Sequence, residues 1–140
     1  MKPLIAVDYD GTLTENAWPH HGDWKPGALE ALRELVKHAR VTIFTVRIAP
    51  MELDEITERP VQLVQQEVNT IRQRLDDAGL REVTIWQKNY KPPAILFIDD
   101  RAIHFNDRPG AWKAILTKSL IKLKQAPELF PEYKEQDGAK

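Results

Sequence analysis

Cysteine is absent from this 140-residue chain. That excludes a disulfide scaffold, a catalytic thiol and any Cys-based zinc site. An excess of one charge sign is missing too. Twenty Lys+Arg stand against 21 Asp+Glu, for a formal net charge of −1. Such a chain is no general electrostatic trap for nucleic acid, although a local basic patch stays open. Long hydrophobic runs are also lacking. The longest, such as Ala94 to Ile98, fall far short of the roughly 20 residues that span a bilayer. Met1-Lys2-Pro3 leads into only four apolar residues before Asp8, which is not the pattern of a secretory signal. A cytoplasmic protein with no membrane partner is the expectation. Hydrophobic residues at 42% and charged residues at 29% are ordinary for a globular protein with one core.

The apolar run Leu4-Ile5-Ala6-Val7 stops at Asp8 and reads as a buried strand. Residues 11–27 hold Gly11, Pro19, Gly22, Pro26 and Gly27 with little periodicity, a long loop of the kind that often carries function. Ala28 to Ala39 reads as a helix with Leu29, Leu32, Leu35 and Val36 on one face. Val41 to Val46 reads as the second strand, and residues 47–60 as another loop. The stripe Val61, Val64, Val68, Ile71, Leu75, Ala78 predicts a helix that stops at Gly79. Val83 to Trp86 and Ala94 to Ile98 read as the third and fourth strands, with Ala102 to Phe105 as a short edge strand. A last helix is expected within Ala111 to Gln125.

Uniformly apolar strands alternating with amphipathic helices predict an α/β fold, a three-layer Rossmann-like domain with a central, mostly parallel sheet. The expected organisation is one catalytic domain over 1–126 and a polar C-terminal tail over 127–140. Ligands of such sheets bind beyond the carboxyl ends of the strands. There the first strand ends in Asp8-Tyr9-Asp10-Gly11-Thr12, the second in Thr45-Val46-Arg47 and the fourth in Asp99-Asp100-Arg101, with Lys91-Pro92-Pro93 between. Carboxylates gathered in a small space repel one another and need a cation. A donor set made wholly of hard oxygens suits Mg²⁺ rather than zinc. Thr45 and Lys91 can donate to phosphate oxygens, and one Asp is free to attack phosphorus.

In this arrangement the sequence resembles the haloacid dehalogenase (HAD) superfamily of phosphotransferases. Asp8-Tyr9-Asp10-Gly11-Thr12-Leu13-Thr14 looks like its first motif. Thr45 after Val41-Thr42-Ile43-Phe44 is similar to the second, Lys91 to the third, and Asp99-Asp100 after Ile95-Leu96-Phe97-Ile98 to the fourth. The resemblance covers about residues 4–105, with every motif in the family's order. It implies a strand order of third, second, first, fourth and then the edge. It also implies an Mg²⁺-dependent phosphatase. Asp8 is then the nucleophile and Asp10 the acid that protonates the leaving group and afterwards activates water. Mg²⁺ is held by Asp8, the Asp10 carbonyl and Asp99, with Asp100 direct or through water. An acid at position 10 favours phosphoryl chemistry over carbon–halogen cleavage. The departure is the lysine: Lys88 and Lys91 both precede the fourth strand, and Lys91, followed by Pro92, fits the Lys-Pro pattern better. Neither the gap from Thr12 to Ala28 nor that from Val46 to Lys91 offers a core of its own, so the resemblance implies a capless member. Its open mouth suits a small phosphorylated substrate under a partial lid of residues 12–26, or a phosphorylated macromolecule such as a nucleic-acid end.

Other readings stand beside this one. A HAD-like domain could bind a phosphorylated ligand without turning it over. A receiver-like signalling module also uses Asp, Thr, Lys and Mg²⁺, but its acidic pair ends the first strand and its lysine comes last, the reverse of the order here. Arg47 is read either as a grip on a second anionic group of the substrate or as the partner of a neighbouring acid. Arg101 is read as neutralising the acidic pair. His20 and His21 read as ordinary loop residues, Trp18 and Trp24 as packing under the loop, and His104 as edge packing.

Overall fold

Pro3 precedes, and Asp8 follows, the first strand of a computed structural model that describes residues 1–48 and 61–129. The strands are β1 (Leu4–Val7), β2 (Arg40–Ile43), β3 (Thr84–Ile85) and β4 (Leu96–Ile98); the helices are α1 (Ala28–His38), α2 (Val61–Asp77) and α3 (Ala111–Leu129). The four strands form one all-parallel sheet in the order β3-β2-β1-β4. This is an α/β fold of Rossmann-like type, and its strand order follows the expected one through β4. None of the helices described is long and apolar enough to cross a membrane.

The chain divides into two compact units, Met1–Asp100 and Arg101–Lys140. In the first, β1 is buried along its whole length, as an apolar central strand of a parallel sheet must be. Ile5 and Val7 of β1 pair with Val41 and Ile43 of β2. Together they face Leu32 of α1 and Val68, Ile71 and Leu75 of α2 in one core cluster with Tyr9, Leu13, Leu80 and Val83. The other parity of the sheet carries Leu4, Ala6 and Thr42, also buried, and the Thr42 hydroxyl has no hydrogen-bond partner among the described residues. Helix α2 ends as its sequence dictates. Gly79 adopts φ +75°, its N–H reaches the Asp76 carbonyl, and the Leu80 N–H reaches the Leu75 carbonyl at 2.8 Å. That is the Schellman pattern of a left-handed residue just past a helix.

The second unit, considered by itself, contains α3, whose described residues are all exposed or half-buried. Phe105 lies against Trp112 with ring centroids 5.5 Å apart. Two expectations are corrected here. Residues 102–105 form no strand, and only Ile103 among them is even half-buried. So short a run, interrupted by His104, has too little apolar surface to hold a sheet edge. The last helix also runs past Gln125 to Leu129, with Pro127 inside it. The start expected for the tail, at residue 127, therefore lies within α3, where a proline in the final turn forfeits one backbone bond. The rest of that tail, and most of the loop expected over 47–60, lie outside the described residues.

Candidate active site

The ends of β1 and β4 supply the acidic group. The Asp8 N–H donates to the Ile98 carbonyl at 2.9 Å, extending the β1–β4 ladder by one bond. That bond sets Asp8 beside Asp99 and Asp100, which follow β4 directly. One carboxylate oxygen from each of the three lies within 4.8 Å of the others. The Thr12 hydroxyl ties two of them: Oγ1 lies 3.1 Å from Asp8 Oδ2 and 3.2 Å from Asp100 Oδ1, and it accepts from the Asp100 N–H at 3.1 Å. A tight turn brings Thr12 there. The Tyr9 carbonyl accepts from the N–H groups of Thr12, Leu13 and Thr14 at 3.2, 3.0 and 3.1 Å.

The electrostatics follow from the crowding. Burial, the neighbouring Asp100 carboxyl and the Asp99 charge push the Asp8 carboxyl up from 3.8 to about 7, against weaker opposing bonds from the Tyr9 backbone and Thr12. Each cause disfavours the charged form. A cation placed among the three would reverse the last two. Three hard oxygen donors on converging strand ends fit a hard divalent ion such as Mg²⁺ and offer nothing to a thiophilic metal.

Asp10, two residues on, turns to a different partner. Arg47 Nε donates to its Oδ2 at 2.6 Å and Nη2 to its Oδ1 at 2.7 Å. Of the two roles read for Arg47 in the sequence, the structure displays the ion pair. Its side chain is 0% exposed. Nη1 reaches the Pro19 carbonyl at 3.1 Å and Glu67 on α2 at 3.2 and 3.3 Å, and Nη2 also reaches the His20 carbonyl. Burial alone would favour the neutral guanidinium, but Asp10 and Glu67 outweigh it and hold the group above its ordinary value.

This network extends through the first loop. His21 Nε2 lies 2.7 Å from Glu67 Oε2, and His21 Nδ1 lies 2.9 Å from the Tyr9 hydroxyl. Arg74 on α2 donates to the Tyr9 hydroxyl and, at 2.7 Å, to the Gly22 carbonyl. Its guanidinium carbon sits 4.7 Å from the Trp24 ring centroid, as that of Arg47 does from Trp18. Residues 11–27 are thus pinned, with Thr14 bridged to both Asp10 and Trp24. His21 is an integral part of that pinning rather than an ordinary loop residue.

The remaining sequence candidates are placed as follows. Thr45 is buried two residues past β2, and its Oγ1 accepts from the Arg47 N–H at 3.2 Å. The Lys91 ammonium lies over the Phe97 ring, 4.5 Å from its centroid, and forms no ion pair with the three acids among the described residues. Lys88 is exposed. Glu67 and Arg74 were not singled out in the sequence. Their signal was spacing: both lie on one flank of the α2 apolar stripe, three residues from Val64 and from Ile71 respectively, at the border of the core-facing side rather than on the solvated face.

No family model matches the chain, and no curated protein matches it. A solved structure described as that of the conserved protein coded by a locus from Bacteroides thetaiotaomicron is similar to it. The identity is 24% over 93% of this chain and 98% of that one, with a TM-score of 0.48.

Proposed function

We propose that the protein is an Mg²⁺-dependent phosphatase of HAD type that hydrolyses a phosphate monoester through an aspartyl-phosphate on Asp8. The observation that carries this reading is the meeting of Asp8 with Asp99 and Asp100 at the carboxyl edge of the sheet, bridged by Thr12. Apolar strands have no folding reason to end in three crowded acids, one of them with its carboxyl raised to about 7.

In the first half-reaction an Asp8 oxygen forms a bond to phosphorus as the bond to the leaving oxygen breaks, and Asp10 gives that oxygen a proton. In the second, water adds to phosphorus, the Asp8–phosphorus bond breaks and Asp10 takes the water proton. General acid–base help of this sort is worth about 10²–10⁴-fold. Asp8, Asp99, Asp100 and the Asp10 carbonyl would hold Mg²⁺, which when bound neutralises the carboxylates and draws in a phosphate oxygen. The Thr45 hydroxyl accepts from the Arg47 N–H and keeps its own proton to donate to phosphate. Lys91 offsets the remaining negative charge. The loop over 12–26 is pinned down and builds no domain over the mouth, which favours a capless enzyme. The near-neutral chain favours a small phosphate ester over a nucleic-acid end.

The test is turnover of p-nitrophenyl phosphate with Mg²⁺ and with a chelator, in wild type and Asp8→Asn. Hydrolysis that needs both Mg²⁺ and Asp8 supports the reading. Wild type that releases no nitrophenol in Mg²⁺, or Asp8→Asn that keeps wild-type turnover, contradicts it.

A further inference from the structure

The fork between Arg47 and Asp10 is made in a particular way. All five N–H groups of the guanidinium have acceptors: Nε and one of Nη2 go to Asp10, the second of Nη2 to the His20 carbonyl, and the two of Nη1 to the Pro19 carbonyl and Glu67. Arg47 has no donor left over for a substrate. Among the described residues its position is fixed by α2 through Glu67, by the loop through two carbonyls and by Trp18 stacked on its face. The side chain is wholly buried, whereas 15% of the Asp10 side chain reaches solvent. The rigid group is the arginine, and the one it aims is the carboxylate.

We infer that Arg47, anchored by Glu67, is a positioning residue that fixes the orientation of the Asp10 carboxylate for proton transfer in both half-reactions. The inference rests on the phosphatase reading. A bidentate fork engages one lone pair on each carboxylate oxygen and sets the plane of the group. The second lone pair of each oxygen stays available to exchange a proton with a leaving oxygen or with water. Without the fork the carboxylate rotates about its own side-chain bonds, and proton transfer depends steeply on such placement. His21 takes part at one remove. It lies 2.7 Å from Glu67, and burial and the nearby Arg47 charge lower its tendency to protonate against the opposing pull of Glu67.

This role makes a prediction that a merely structural role does not. Arg47→Met should reproduce the defect of Asp10→Asn, and the two losses should not multiply, because one acts through the other. An aryl ester needs little acid help to lose its alcohol, whereas water must still be activated. With p-nitrophenyl phosphate, Arg47→Met should therefore release about one equivalent of nitrophenol per site in a rapid burst and then turn over slowly, with steady-state kcat down about 100-fold. With an alkyl phosphate both steps slow and no burst appears. The double variant Arg47→Met/Asp10→Asn should be no slower than Asp10→Asn alone. Glu67→Gln, which keeps the Arg47–Asp10 fork but loosens its anchor, should show the same pattern at smaller size; it also serves as the readout if Arg47→Met does not fold.

Losses that multiply in the double variant, or equal losses on both esters with no burst, would overturn the positioning role while leaving the phosphatase reading intact. Wild type that hydrolyses neither ester would instead contradict the phosphatase reading, and the inference with it. The Arg47 Nε–H resonance gives a readout free of turnover. It should lie downfield in wild type and move in Asp10→Asn; an unperturbed resonance would contradict the fork itself.

Discussion

Gly11 and Asp100 approach so closely that any side chain at position 11 must displace the Asp100 carboxylate. A Cβ built there would stand 2.6 Å from Asp100 Oδ2, and Gly11 itself adopts φ +83°. The contact lets the turn after β1 lie flat against the end of β4 and bring Thr12 onto both Asp8 and Asp100. Gly11→Ala should therefore cost about 1–3 kcal/mol of stability from the left-handed backbone and the displaced carboxylate together. It should also weaken Mg²⁺ binding at least tenfold, measured by calorimetric titration. An alanine variant with wild-type melting and wild-type Mg²⁺ affinity would show that the Gly11–Asp100 contact does not shape the site.

The raised Asp8 carboxyl makes the metal-free protein sensitive to pH. Folding lifts this group from 3.8 to about 7, so the folded state holds its proton more tightly than the unfolded chain does. The resulting stabilisation is complete below about 3.8 and is lost as pH rises to about 7. Metal-free protein should thus become less stable between those values, and Asp8→Asn should flatten that part of the curve. His21 has the opposite sign. Its tendency to protonate is lowered from the ordinary 6.5, so what it contributes is present above 6.5 and is lost as pH falls through its lowered value. Mg²⁺ should raise the melting temperature more at pH 8 than at pH 5, since the ion competes with a proton at Asp8. Thermal melts at four pH values with and without Mg²⁺ check both signs; equal Mg²⁺ stabilisation at pH 5 and pH 8 would contradict the coupling.

The three crowded acids were legible in the sequence because they stand at the abrupt ends of apolar strands. Asp8 after Leu4–Val7 and Asp99 after Leu96–Ile98 needed only the strand pattern to be placed at one sheet edge. The partners of Asp10 were less legible. Arg47 offered two roles on sequence grounds, and choosing between them required knowing that α2 brings Glu67 within 3.2 Å, a contact between residues 20 apart in the chain. His21 was similarly opaque, since its partners come from Tyr9 in the turn after β1 and from α2 rather than from its own loop. The missing edge strand over 102–105 shows the limit of propensity: three apolar residues around a histidine do not pair without surface to bury.

Lys91 and Lys88 separate by a simple comparison. Both are exposed, but the Lys91 ammonium lies over the ring of Phe97, two residues before Asp99. Lys91→Ala should lower kcat at least 100-fold, of the order expected when a positioned charge is lost, and Lys88→Ala should stay within about twofold of wild type. Steady-state kinetics on one aryl phosphate decides it. A large loss at Lys88 with little at Lys91 would reverse the assignment.

Substrate size is read from salt dependence. If a small ester is the substrate, kcat/KM should fall only slightly between about 50 and 200 mM salt, because few counterions are released. A much higher kcat/KM for phosphorylated DNA or RNA ends, falling steeply over the same range, would move the assignment to a macromolecular substrate.

The most direct measurement is to quench the Asp10→Asn variant with acid within milliseconds of mixing with Mg²⁺ and p-nitrophenyl phosphate, and to map the phosphorylated peptide by mass spectrometry. In the proposed mechanism Asp10→Asn lacks the base that activates water, so the covalent intermediate should build up, with the phosphoryl group on the peptide that carries Asp8 and absent from Asp8→Asn treated in the same way. Nitrophenol release with no phosphorylated peptide, or phosphate found on Asp99, Asp100 or another residue, would contradict Asp8 as the nucleophile.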